Sequence, residues 1–338
     1  MTDDPSESSF VKAIELAEGR VVSVVDEGGV TYTRIWCCLE IHLGLVRTYE
    51  VYTCPKEGCE ALDTSVEAWD KAGADARTLG ERVARLPSVR RHAVGLTGGL
   101  CAADGGYAAL QSRRQQAFPL ELVHRAFAIR LQGGDASVES DRTHILNYIA
   151  GRRGDALDAP VLAECDAYDA TNAMLHGAFT AAAMRLLLES GESMAASARR
   201  LACSRLRVLS LSFRDCNVFT AEGARVLATS LPPTLEELAL EWPGSGVDGE
   251  ASRQVLDAAV KRLALGTVRV LKLTESGVTG AIPEALGACT VLQQLMLNGN
   301  QLTGAIPEAL GACTALEALV LNGNQLTGAT PSGLRHLL

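Results

Sequence analysis

The C-terminal part of the chain repeats itself almost letter for letter. The stretch GAIPEALGACTVLQQLMLNGNQLTGAIPEALGACTALEALVLNGNQLTG runs from Gly280 to Gly328, and the glycines at 280, 304 and 328 are 24 residues apart. A fixed period of this length is typical of a solenoid, because each unit can bury its apolar residues only against its neighbours. The apolar framework recurs at the same positions of successive units: Val268, Leu271, Leu273 and Val278; Leu292, Leu295, Leu297 and Leu302; and Leu316, Leu319, Leu321 and Leu326.

The repeated pattern L-x-x-L-x-L-x-x-N-x-L contains one short strand. Successive side chains of a strand point to opposite faces, so Leu295 and Leu297 are predicted to face the core and their neighbours to face a concave sheet. Asn300 and Asn324 occupy the turn after the strand, where a side-chain amide can hydrogen-bond the backbone of a tight corner. Ser276 stands at this position in the first unit, which predicts a weaker ladder there.

With its G-x-I-P-x-x-L-G-x-C continuation, the pattern resembles the plant-type leucine-rich repeat over residues 267–331. Upstream, the strand pattern restarts at Leu209 and Leu238, in steps of 29 and 33 residues that leave room for convex helices. These longer units resemble the ribonuclease-inhibitor type of leucine-rich repeat. The resemblance implies a solenoid of about five coils over residues 200–338. The strands are predicted at 206–212, 235–241, 268–274, 292–298 and 316–322, with Cys289 and Cys313 as small buried core residues.

The N-terminal part of the chain has a different pattern. RVVSVVDEGGVTYTRIWCCLEIHLGL begins with a buried-type strand at residues 21–25 and continues into a helix that carries Trp36, Leu39 and Leu43 on one stripe. Strand, loop and helix in this order predict one unit of a parallel α/β sheet. Further on, residues 166–199 include the amphipathic stretch AYDATNAMLHGAFTAAAMRLLLES, which is predicted to be a helix that caps the solenoid. The fold class is therefore α/β: a partial, helix-rich α/β domain followed by the solenoid.

The segment from Arg34 to Ile41, RIWCCLEI, is similar to the S/R-x-W-C-x-x-E-L segment of TIR domains. Residues 127–151 resemble the later strand and helix of TIR-like domains from algal and oomycete families, where D-R-x-x-I-L-x-x-I recurs. Residues 1–190 thus resemble a truncated TIR-like domain. We expect a partial TIR-like region over residues 1–165 with an irregular insert at 56–117. In enzymatic TIR domains the glutamate of this segment cleaves NAD, and the resemblance gives that position to Glu40; the residues themselves favour a structural helix glutamate.

Composition and motifs narrow the classes of function. The net charge is −9, with 21 basic and 28 acidic residues up to residue 200 and 10 and 12 after it, so neither part has the basic excess that attracts nucleic acid or membranes. The chain opens on the acidic MTDDPSESSF and has no long apolar run, and its ten cysteines favour reduced thiols, which predicts a cytoplasmic protein. CPKEGC (residues 54–59) lacks a second cysteine pair, so we expect no metal site and no cofactor.

The favoured function is a non-enzymatic protein-binding module in intracellular recognition or signalling. A protein or peptide is expected on the concave face, with nucleic acid and membrane excluded as partners and the oligomeric state left open. The alternative is a TIR-like NAD-cleaving signalling enzyme that uses Glu40 and has the repeats as its sensor. The predicted partner-binding residues are Val208, Ser210, Ser212, Glu237, Ala239, Glu241, Val270, Lys272, Thr274, Gln294, Met296, Asn298, Ala318, Val320 and Asn322.

Overall fold

The computed structural model describes residues 4–25, 34–43, 48–53, 94–95 and 118–337. Except for Val94–Gly95, the predicted insert at 56–117 lies outside these residues, and so does the CPKEGC segment. The chain divides into two compact units, Met1–Leu186 and Leu187–Leu338. Each unit is described separately.

In its described residues, the N-terminal unit contains a small sheet and five α-helices, the last of which continues into the second unit. Strands β1 (Arg20–Val25) and β2 (Thr48–Thr53) are parallel, with Arg20 opposite Thr48, and helix α2 (Ile35–His42) lies between them in the sequence. This arrangement confirms the predicted parallel α/β unit. Strand β3 (Val94–Gly95) joins β2 in the antiparallel direction. The other helices are α1 (Ser9–Leu16), α3 (Leu120–Ala128), α4 (Glu139–Ile149) and most of α5 (Asp166–Glu189).

Apolar side chains of α2 and α4 form the centre of this unit. Ile35 and Leu39 of α2 are fully buried, as are Ile145 and Leu146 of α4. The start of α2 is fixed by the backbone, because the Ile35 amide donates to the Asp135 carbonyl over 3.1 Å. Burial of this stripe explains why the helix forms there, although no side chain caps its N-terminus.

The segment predicted as one capping helix, residues 166–199, is two helices in the structure. The first helix, α5, ends before Gly191, which has a φ of 94°, a conformation that favours glycine. The second helix, α6 (Met194–Ala202), is capped by Ser193, whose side chain accepts a hydrogen bond from the Ala196 amide. Within the N-terminal unit, Asn172 of α5 accepts from the Leu131 amide over 2.7 Å. In the second unit α6 packs beside the first convex helix, so α6 covers that end of the solenoid.

Five parallel strands form the concave sheet of the second unit, one from each coil. They are β4 (Val208–Ser212), β5 (Glu237–Glu241), β6 (Val270–Thr274), β8 (Gln294–Met296) and β10 (Ala318–Val320), hydrogen-bonded in that order. We number the coils 1 to 5 accordingly. All five lie inside the predicted spans, and Leu295 and Leu297 are fully buried, so the strand assignment and its inward face are confirmed. Cys289 and Cys313 are buried as predicted.

The convex side changes between the long and short coils. Coils 1 and 2 carry helices α7 (Ala221–Thr229) and α8 (Gly249–Leu263), each capped at its start by Thr220 or Asp248. In place of these helices, coils 3 to 5 carry a second parallel sheet, which was not predicted from the sequence. Its strands are β7 (Thr279–Ala281), β9 (Gln301–Ala305) and β11 (Gln325–Thr327), and short 3₁₀ turns follow at Glu284–Ala288, Glu308–Ala312 and Ser332–Leu337.

Asn300 joins coil 3 to coil 4. Its Oδ1 accepts from the backbone amides of Ser276 and Val278, both over 3.1 Å. Its Nδ2 donates to the carbonyl of Leu273 over 2.7 Å and to that of Leu297 over 2.9 Å. Since the side chain is almost fully buried, these bonds satisfy backbone groups that water does not reach. Asn324 makes similar bonds between coils 4 and 5: it accepts from the Leu302 amide and donates to the carbonyls of Leu297 and Leu321.

Ser276 breaks this ladder as predicted, and two other residues close the junction. The Ser276 hydroxyl donates to the Thr274 carbonyl of its own coil over 2.7 Å. The Ser276 carbonyl, in turn, accepts from the buried indole of Trp242 over 2.8 Å and from the Ser252 hydroxyl over 2.6 Å. Coils 2 and 3 are therefore joined through a tryptophan and a serine where coils 3 and 4 use an asparagine.

Replacing Asn300 by alanine should destabilise the solenoid by about 2–4 kcal/mol, because two buried amides and two carbonyls lose their partner. Asn298→Ala is the matched control, since the Asn298 side chain makes no hydrogen bond within the described residues. Urea denaturation followed by circular dichroism measures both. Equal midpoints for the two variants would show that the ladder does not hold the coils together.

Candidate concave interface

The predicted partner-binding residues form a regular array on the concave sheet. Coil by coil, they stand in three rows: Val208, Glu237, Val270, Gln294 and Ala318; Ser210, Ala239, Lys272, Met296 and Val320; and Ser212, Glu241, Thr274, Asn298 and Asn322. Neighbours within a row are about 4.8 Å apart and neighbours along a strand about 6.8 Å apart. Each is half-buried or exposed, and the structure thus brings all the predicted residues onto one surface.

Charged side chains concentrate at coils 1 and 2, where they pair with one another and with Glu275, which directly follows the strand of coil 3. Glu241 accepts from the Ser212 hydroxyl over 2.7 Å. Arg214 Nη2 lies 2.8 Å from the carboxylate of Glu275 and 3.8 Å from that of Glu241. Burial alone would lower the Arg214 pKa, but the hydrogen bond to Glu275 and the nearby carboxylates raise it. The charges at this end of the face are therefore largely neutralised within the protein.

The sequence pattern did not predict that Arg214 and Glu275 take part in this site. Glu275 is distinguished by its backbone conformation. Glu275 has a φ of 48°, a region that costs a non-glycine residue about 1–2 kcal/mol. The equivalent residues in the next coils are Gly299 and Gly323, each with a φ of 69°. A Cβ on Gly299 would lie 2.9 Å from Glu275 Cγ. The signal was available in the sequence, because Glu275 stands where the other two repeats have glycine.

Coils 3 to 5 present a surface of different chemistry, which we call the nine-residue grid. Its members are Val270, Lys272, Thr274, Gln294, Met296, Asn298, Ala318, Val320 and Asn322. Lys272 is the single charged residue among these nine, and the others are aliphatic side chains, carboxamides, a methionine and a threonine. Such a surface can exclude water over its apolar members while its amides hydrogen-bond a partner.

Glu40, the alternative catalytic residue, lies on α2 in the N-terminal unit. It is 6% exposed, and burial raises its pKa to about 7. Burial likewise raises the pKa of the adjacent Cys38 thiol to about 12. The Trp36 ring stacks on Phe10 with centroids 5.2 Å apart. These neighbours form an apolar packing environment around the helix.

The described residues contain neither a metal-binding cluster nor a membrane-spanning helix. No group of three or more histidine, cysteine, aspartate or glutamate side chains there is arranged to hold a metal ion. In the same residues, no helix has both the length and the apolar character needed to cross a membrane.

The repeats match a known family. The leucine-rich repeat family model matches residues 291–313 and 315–337. These residues comprise most of coil 4 and coil 5, with their concave strands, their ladder asparagine and their 3₁₀ turns. The chain thus contains leucine-rich repeats over residues 291–313 and 315–337. No curated protein matches it.

Several solved structures of plant leucine-rich repeat proteins are similar to part of the chain. The BIR3–SERK2 complex from Arabidopsis thaliana is 27% identical, with a TM-score of 0.28, over 38% of this chain and 61% of that chain. The ectodomain of the Arabidopsis receptor kinase HAESA, in complex with an IDA peptide hormone ligand, is 27% identical, with a TM-score of 0.28, over 39% of this chain and 20% of that chain. The matches thus span less than two thirds of either relative.

Glu40 predicts a pH dependence of stability. Its carboxyl has a pKa of about 7 in the folded state and 4.5 as the ordinary value, so folding favours the protonated form. Below pH 4.5 both states are protonated and the group costs nothing. Between pH 4.5 and about 7 the carboxyl is ionised in the unfolded state but still protonated in the folded state, so stability falls, and above about pH 7 the loss has reached its full extent, on the order of 3 kcal/mol.

Glu40→Gln should therefore match the parent protein at acidic pH and be more stable at mildly alkaline pH, measured by urea denaturation at each pH. Glu15→Gln, at an exposed position of α1, is the control and should follow the parent protein at both. A constant difference between Glu40→Gln and the parent across this range would rule out a proton uptake linked to folding at Glu40.

Proposed function

We propose that this chain is a non-enzymatic binding protein that holds a protein or peptide on the concave face of its leucine-rich repeats. The observation that carries the proposal is the continuous three-row array, in which thirteen side chains stand in register on five strands and Asn298 and Asn322 follow shortly after two of them. Such an array is rigid before a partner arrives, because buried leucines and the Asn300 and Asn324 bonds fix the strands beneath it. A preformed surface loses little conformational entropy on binding.

The size and chemistry of the array favour a polypeptide partner. Five strands about 4.8 Å apart give a face about 20 Å wide, which suits a peptide or one edge of a folded protein. The carboxylates of Glu237 and Glu241 on this face repel phosphate groups, and the chain carries a net charge of −9. Both observations support the exclusion of nucleic acid and anionic membranes from the proposal.

A cytoplasmic location and a role in intracellular recognition or signalling belong to the same proposal. Ten cysteines in a chain of 338 residues are typical of reduced thiols, which favours this compartment.

A TIR-like NAD-cleaving activity is the second candidate function, and one observation favours it. Glu40 stands at the glutamate position of the segment that resembles TIR domains, and burial brings its pKa to about 7, where a carboxyl can exchange protons near neutrality. The first proposal excludes enzyme activity, so it predicts no cleavage of NAD, whereas the second candidate predicts that the protein cleaves NAD.

Met296→Arg should abolish capture of the native partner, because the substitution places a charge in the middle of the concave array. The measurement is quantitative affinity capture from the native cell with the full chain as bait. Gln254→Arg adds the same charge at an exposed position of convex helix α8 and is the control. Partners retained by Met296→Arg and lost with Gln254→Arg would place binding on the convex side.

Purified protein should show no loss of NAD above the buffer background, measured by chromatography of the nucleotide over an extended incubation. Glu40→Gln is prepared in parallel, with its fold checked by circular dichroism. Turnover by the parent protein that disappears in a folded Glu40→Gln would replace the binding proposal with the enzymatic one.

A further inference from the structure

Lys272 stands at the centre of the concave face without a counter-charge. It is half-buried on the middle strand, between Ala239 and Met296 of the neighbouring strands, and neither of these offers a charged group. Among the described residues it makes no ion pair and no hydrogen bond. Glu237 and Glu241 lie diagonally across from it, yet no carboxylate of the described residues comes within 4.0 Å of its ammonium group.

The free charge contrasts with the rest of the face. Arg214 is held between two carboxylates, and Arg207 of the first coil is paired with Glu236 over 2.6 Å. Lys272 keeps its charge solvated only while the face is open to water. A partner that covers it with neutral groups would bury an unpaired ammonium, which is strongly unfavourable, whereas a carboxylate would satisfy it.

The carboxamides of the grid are also unoccupied. The side chains of Gln294, Asn298 and Asn322 make no hydrogen bond within the described residues. In contrast, the side chains of Asn300 and Asn324 form hydrogen bonds with the backbone. A free carboxamide offers a donor and an acceptor side by side, which matches a peptide group. The grid therefore holds the hydrogen-bonding groups that an extended polypeptide needs.

Aliphatic side chains complete the grid at a fixed distance from the charge. Val320 lies in the same row as Lys272, two strands away, with Met296 between them. Two strand spacings are about 10 Å, and an extended peptide advances about 3.4 Å per residue. An aliphatic side chain that packs on both Met296 and Val320 lies about 7–10 Å from Lys272 along the row, so it is about two to three residues from the carboxylate in the partner.

We propose that the nine-residue grid binds an acidic–aliphatic peptide segment, in which an Asp or Glu side chain pairs with Lys272 and a Leu, Ile, Val or Met side chain packs on Met296 and Val320. The inference rests on the proposed function and names the partner of the same face. A longer polyanion does not fit, because its charges would continue onto the carboxylates of coil 2.

The test is selection from a displayed library of random linear peptides against the full chain at low salt. The selected peptides should be enriched in an acidic residue two or three positions from an aliphatic one. Selection against Lys272→Glu should reverse this preference to Lys and Arg. Lys261→Glu makes the same charge change at an exposed position of α8 and should leave the acidic preference unchanged.

A selected peptide is then synthesised with a free and with an amidated C-terminus, and its binding is measured by fluorescence polarisation. Lys272→Met should weaken binding by at least about tenfold, for both forms of the peptide equally. A loss of binding confined to the free-terminus form would assign Lys272 to a terminal carboxylate and overturn the side-chain pairing.

Two results separate this inference from the function on which it rests. In the first result, the selected peptides do not bind Met296→Arg, but selection against Lys272→Glu gives peptides with the same acidic content as selection against the parent protein. This result would overturn the inference and leave binding at the concave face in place. Peptides that bind Met296→Arg as well as the parent protein, or a selection without any enriched sequence, would overturn both.

Discussion

The bonds that Asn300 makes between coils are the constraint on which the solenoid surface depends. Leucines from successive coils bury apolar area, but apolar contact is non-directional and permits small slips of one coil along the next. The amide of Asn300 accepts from two backbone groups of coil 3 and donates to a carbonyl in each coil, which is possible in one register. Because the strands are held in that register, the side chains of the concave face line up in rows.

The face that results is divided by charge. Arg214 of coil 1 pairs with Glu241 of coil 2 and with Glu275, which directly follows the coil 3 strand and has a backbone conformation that its repeat equivalents reach as glycine. At coils 3 to 5 the polar groups of the grid are left for a partner, with Lys272 at the boundary. The division coincides with the change of repeat type, from convex helices to the second sheet.

Sequence periodicity predicted the parts of the fold that a single unit encodes. The strand and its buried apolar residues recur at steps of 29, 33, 24 and 24 residues, so the five strands and the fifteen-residue array followed from the pattern. Arg214 and Glu275 are 61 residues apart, and no local pattern joins them. The second sheet was missed because G-x-I-P reads as a turn, and its strands pair only across coils. For residues 166–199, the amphipathic pattern predicted the first helix, α5, but not the second helix, α6.

The two candidate functions draw on different kinds of evidence, and the difference favours binding. The pKa of Glu40 is raised by burial alone, which any carboxyl packed into an apolar helix interface experiences. A catalytic carboxyl is typically tuned by burial together with a specific charge or hydrogen-bond partner, because its proton has to be delivered to a defined atom. The grid has the opposite character: within the described residues, Lys272 and three carboxamides make no hydrogen bond or ion pair, on a backbone that is already fixed. Such polar groups on a rigid surface can bind a partner directly, whereas a buried acid that has no hydrogen-bond partner among the described residues is explained by packing.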